Sequence, residues 1–87
     1  MSMTITFSKP IEFGEEVIPA IELREATLGD LEVMDKHSGM VAKMNALISQ
    51  LSGQAPSMVK MISARDLDQI QDALGNVLPA SLATGET

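Results

Sequence analysis

The chain has 87 residues, a formal charge of -6 with a pI near 4.5, and no cysteine. An acidic chain lacks the basic field that releases counterions from a phosphate backbone, so nucleic acid is not an expected partner. The missing cysteines remove both a disulfide framework and a thiolate metal site, and a single domain of this size buries only about 60–65% of its unfolded surface. Self-association or a partner is therefore expected to add to a thin core.

The opening residues MSMTITFSKP lack a basic start followed by an apolar run, so no targeting signal is expected. Nor does any run approach the ~18–20 apolar residues of a membrane span. Ile5, Phe7, Ile11 and Phe13 fall on odd positions with Thr4, Thr6, Ser8 and Glu12 between them, the period of a half-buried strand. Gly14-Glu15-Glu16 supplies a polar turn, and Val17, Ile21 and Leu23 resume the odd-position alternation. The spacing predicts a β-hairpin over 4–24, with Pro10 and Pro19 making its strands short, bulged or edge-placed because neither can donate to a ladder. An isolated hairpin is marginal in water, so its apolar face needs the helices or a second copy.

Helices are predicted from 27 to 78. Thr27-Leu28-Gly29-Asp30 has capping-box spacing, with a carboxylate at the positive end of the helix dipole. Leu31, Met34, Val41, Met44, Ile48 and Leu51 then recur every three or four residues, with His37 on the same stripe. Gly39 either separates two helices, the second starting at Met40, or sits inside one long helix as a weakness of roughly 1 kcal/mol relative to Ala. Gly53 suits a left-handed cap and Pro56 a first helical position, so a short helical turn over Pro56 to Ile62 can bury Met58, Val59 and Ile62. Ser63-Ala64-Arg65-Asp66 repeats the capping-box spacing ahead of a helix with the stripe Leu67, Ile70, Leu74, Val77 and Leu78 and a polar side of Asp66, Asp68, Gln69, Gln71 and Asp72. Pro79 is expected to end it, leaving 79–87 as a flexible tail. The fold expected is α+β: one domain over 1–78, an N-terminal hairpin followed by a small bundle of three or four helices.

Charge is segmented. Residues 1–37 carry eight acids against Lys9, Arg24 and Lys36, whereas residues 38–65 carry Lys43, Lys60 and Arg65 and no acid. A solvated face explains this simply; a charge-steered contact surface explains it as well. His37 is the only histidine and has no nucleophile beside it at a recommending spacing, so it reads as a helix surface residue rather than a catalytic one. Asp66 and Asp68 are two apart on a helix and do not converge on an ion, and no glycine loop cradles a phosphate. No catalytic residue, metal site or cofactor is expected, and an enzyme is not the reading favoured.

Methionine is over-used: seven in 87 residues, with only two phenylalanines as aromatics. Met fills irregular gaps in a core, and it also lines grooves that must accept variable apolar helices. On the second view, periodicity selects Met40, Met44, Leu47, Ile48, Leu51, Met58 and Met61 as a partner-binding surface.

The order of these parts permits a comparison. A hairpin broken at Lys9-Pro10-Ile11, then Ile21-Glu22-Leu23-Arg24-Glu25 running into Thr27-Leu28-Gly29-Asp30-Leu31, then a late Ser63-Ala64-Arg65-Asp66-Leu67, resembles the small tail assembly chaperones of contractile-tailed, Mu-like bacteriophages. The resemblance runs from Ile5 to about Leu78 and is most specific from Leu23 to Asp30; relatives commonly have proline where this chain has Ala26. It implies a non-enzymatic morphogenesis factor of the host cytoplasm, absent from the finished virion. Such a factor binds and solubilises the tape measure protein, helps recruit tail tube subunits, and is often accompanied by a longer form made by programmed frameshifting. A reading from a different class is a cytoplasmic dimerisation module, antitoxin-like, whose helical stripe pairs with itself.

Overall fold

The computed structural model describes residues 2–77. The expectations for Leu78, for Pro79 as a helix stop and for a tail over 79–87 lie outside the described residues.

Strands β1 (Met3–Phe13) and β2 (Glu16–Leu23) form an antiparallel hairpin. Phe13 pairs with Glu16, so Gly14 and Glu15 alone make the turn. Gly14 has φ +65 at the first central position of this two-residue loop, the place a type II′ turn reserves for glycine. Pairing is regular from Met3↔Leu23 to Thr6↔Ala20 and resumes at Ile11↔Ile18. Between those points, residues 7–10 of β1 face Pro19 alone, and β1 bulges where Pro10 and Pro19 both lack a donor.

That bulge changes which residues point inward. Ile5, Phe7 and Ile11 of β1 and Ile18, Ile21 and Leu23 of β2 enter the core. Val17, expected on the buried face with Ile21 and Leu23, is 63% exposed, and Ile18 takes its place opposite Ile11. An alternation read along one strand cannot survive a register shift in the pairing.

Four helices follow: α1 (Leu28–Asp35), α2 (Met40–Ser52), α3 (Pro56–Val59) and α4 (Leu67–Val77), the last entered through a 3-10 turn over Ala64–Asp66. The architecture is the expected α+β one. Gly39 divides α1 from α2: its φ of 88 and ψ of 145 lie in a region essentially restricted to glycine. The stripe that ran through His37 is thus two separate faces, with His37 exposed in the connection and Val41 65% exposed. Gly53 closes α2 in the left-handed conformation, its N–H donating to the Ser49 carbonyl at 2.9 Å, and Pro56 opens α3.

One face of the hairpin packs on α2 and α4, and α3 packs against α2. Leu47, Ile48 and Leu51 of α2, Met58 and Val59 of α3, and Ile70, Ala73, Leu74 and Val77 of α4 complete a single core with the strand residues. Burying each such large aliphatic side chain contributes roughly 1.5–3 kcal/mol.

Asp66 departs from its expected place on the polar side of the last helix. Only 5% exposed, its carboxylate accepts the Ser8 amide at 3.1 and 3.2 Å instead of reaching back to the Ser63 amide. Ser63 still caps the 3-10 turn by accepting from the Arg65 amide at 3.2 Å.

Candidate functional site

A polar joint sets the helices against the hairpin. Thr27 and Asp30 complete the capping box: the Thr27 hydroxyl accepts the Asp30 amide at 3.3 Å and an Asp30 carboxylate oxygen accepts the Thr27 amide at 2.8 Å. Arg24, leaving β2, forks onto both carboxylate oxygens of Asp30 at 2.7 and 2.9 Å. The same guanidinium donates to the Gln50 carbonyl at 3.3 Å, and the Arg24 amide donates to the Leu51 carbonyl at 3.3 Å. One arginine thus ties the end of β2 to the start of α1 and the end of α2, satisfying carbonyls that α2 leaves free at its terminus. Ala26 adds a second tie, its amide donating to the Val77 carbonyl at 3.1 Å.

Asp30 is only 2% exposed, yet it stays ionised. The Arg24 hydrogen bonds, aided by the Thr27 amide and hydroxyl and opposed by burial, hold its carboxyl far below the usual carboxylate range. Arg24 is correspondingly raised by its bond to Asp30. Nothing here positions a nucleophile or a base, and among the described residues no three His, Cys, Asp or Glu side chains converge as for a metal. The joint is architectural.

What it positions is an apolar groove of about 340 Å³ between α2, the segment after α3, and α4. Met40, Val41 and Met44 form one wall; Leu67 and Ile70 form the other, with Ile62 and Ala64 between them. Met40 is 77% exposed, Val41 65% and Leu67 38%, so three of the exposed large apolar side chains share this groove. Lys60 and the polar Asn45, Ser63 and Gln71 also line it. Ser63 also borders a second, more open depression of about 680 Å³, in which Met61, 50% exposed, lies near Pro10 and Val17 of the hairpin.

The seven residues selected by periodicity separate in the fold. Met40, Met44 and Met61 lie at the surface or partly so, whereas Leu47, Ile48, Leu51 and Met58 are at most 3% exposed in the core. Ile48 reaches the groove only as its floor. Val41 and Leu67 belong to the open surface and were not among the seven. The signal for them was the width of the apolar arc: α2 places apolar residues at 40, 41, 44, 47, 48 and 51, more of its circumference than one core contact covers.

Among the described residues no helix is long and apolar enough to cross a membrane. Comparison with curated proteins and with solved structures gives no match. The family described as "Phage tail assembly chaperone proteins, E, or 41 or 14" matches residues 4–79, a span that takes in all but the first residue of the hairpin, the joint and every helix among the described residues, and the chain belongs to that family.

Proposed function

We propose that this chaperone binds the tape measure protein of its phage, keeps it soluble in the host cytoplasm, helps bring tail tube subunits to it, and is left out of the finished virion. The role is non-enzymatic. The observation that supports it is the groove: exposed Met40, Val41 and Leu67 around an apolar floor, in a family of tail assembly chaperones. A long helical client exposes apolar stripes, and an amphipathic helix laid in a groove is a standard way of covering one.

Flexible thioethers at Met40 and Met44 let one groove accept differing stripes. Apolar burial at ~25 cal/mol per Å² makes each contact modest, so several self-associating copies along one client give high occupancy while each remains displaceable by tube subunits. Release on this scheme needs no nucleotide hydrolysis. The acidic remainder of the chain keeps the assembly soluble, while the acid-free segment 38–65, with Lys60 at the groove, avoids repelling an acidic client flank.

Co-expression tests the reading. The tape measure protein expressed with this chain should remain soluble and co-purify with several copies of it. Precipitation of the client at the same level as without the chaperone would reject the proposal.

A further inference from the structure

A two-stranded sheet has two outer edges, and the outer edge of β1 is closed by side chains instead of a third strand. The Thr6 amide donates to the Gln69 carboxamide oxygen at 3.2 Å, and the Gln69 nitrogen donates back to the Thr6 carbonyl at 2.9 Å. This is the two-bond exchange that a hydrogen-bonded residue of a neighbouring antiparallel strand would make. Two residues along, on the same edge, the Ser8 amide donates to both Asp66 carboxylate oxygens at 3.1 and 3.2 Å, and the Ser8 hydroxyl lies 3.4 Å from one of them.

We propose that Asp66 and Gln69 act as a placeholder strand, keeping β1 from pairing edge to edge with a second copy of this chain and leaving association to the helical groove. The proposal does not depend on the identity of the client. A second copy is the fitting occupant because the open stretch is self-complementary. An antiparallel two-fold through Thr6 sets Thr6 against Thr6 and Thr4 against Ser8, so each outward amide meets an outward carbonyl. Pro10 stops the edge from extending beyond that stretch. On the opposite edge Pro19 lacks a donor and, just past β2, the Arg24 amide is taken by the Leu51 carbonyl at 3.3 Å, which leaves only the stretch 20–23 between them. Unpaired edges are sites of aggregation, which this side-chain plug blunts.

Asp66 is held by burial, whereas Gln69 is exposed, so removing the carboxamide leaves the core untouched. The test is Gln69→Ala in the full chain, read by amide hydrogen exchange and sedimentation velocity over a range of concentrations, alone and combined with Met40→Asp and Val41→Asp. At low concentration the Thr6 amide should exchange roughly tenfold faster than in the wild type while core amides keep their rates. Gln69→Ala combined with Asp66→Ala, which also frees the Ser8 amide, should associate as concentration rises and Thr6 should regain protection, with or without the two groove substitutions. Unchanged Thr6 exchange in dilute Gln69→Ala would overturn the proposal. So would sedimentation of Gln69→Ala with Asp66→Ala identical to the wild type at every concentration, or association that the groove substitutions abolish.

Discussion

Asp30→Asn tests the joint with little change in shape. The oxygen that receives the Thr27 amide at 2.8 Å and one Arg24 nitrogen at 2.7 Å can remain an oxygen. The other, which accepts the second Arg24 nitrogen at 2.9 Å, becomes an NH2 facing a donor. A hydrogen bond to a charged group contributes ~1.5–3 kcal/mol. Arg24 is about half exposed, at 49%, so water replaces part of the loss and the low end applies. The expected cost is about 1.5 kcal/mol at pH 7, a fall of roughly 6–12 °C in Tm for a domain of this size.

The pH dependence fixes the cause. A carboxyl whose folded pKa is depressed contributes stability above its unfolded value of about 4 and loses it as the pH falls toward the folded value. For Asp30 that loss begins near pH 4 and continues far down, since its carboxyl lies well below the usual range. The gap between wild type and Asp30→Asn should be widest at pH 7 and narrow below about pH 4 by up to ~1.4 kcal/mol per pH unit. Urea unfolding followed by circular dichroism at pH 7 and pH 3 measures both. A variant within ~0.5 kcal/mol of wild type at pH 7, the ordinary range for a surface substitution, would refute the joint. A gap that stays constant to pH 3 would refute its electrostatic origin.

Two further comparisons separate backbone and packing roles. Gly39→Ala should lower stability by ~1–3 kcal/mol because its φ of 88 excludes a side chain. Gly29→Ala, inside α1 with the new carbon 3.6 Å from the Thr27 hydroxyl oxygen, should be neutral or stabilising by up to ~1 kcal/mol; urea midpoints decide both. Ile48→Ala should cost ~2–5 kcal/mol, as for other buried isoleucines, whereas Met40→Ala should stay within ~0.5 kcal/mol of wild type in the same assay.

Features fixed by neighbouring residues were legible in the sequence. Thr27-x-x-Asp30 named a helix start, Gly53 and Pro56 named a stop and a restart, and the Leu23 to Asp30 run carried the family resemblance. What escaped was set by distant partners. The exchange of Val17 for Ile18 depends on which β1 residues face Pro19, and the turn of Asp66 toward Ser8 depends on packing across 58 positions. Spacing alone suited Asp66 to a local cap, because periodicity carries no information about a strand edge arriving from elsewhere. For the proposed binding surface, the 3.6-residue repeat marked α2 as apolar without saying which part of its wide arc the core would claim. Leu47, Ile48 and Leu51 went inside, and Met40 and Val41 were left out.

The proposed client surface is tested most directly by Met40→Asp with Val41→Asp, two exposed positions on one wall of the groove. Ile48, at 2% exposure, would report on the core instead. The double variant, its folding checked by circular dichroism, is co-expressed with the tape measure protein, and the soluble client is compared with that obtained using the wild type. Charges placed in the groove should leave the chaperone folded and the client insoluble; a folded double variant that solubilises the client fully would contradict the groove as its binding site.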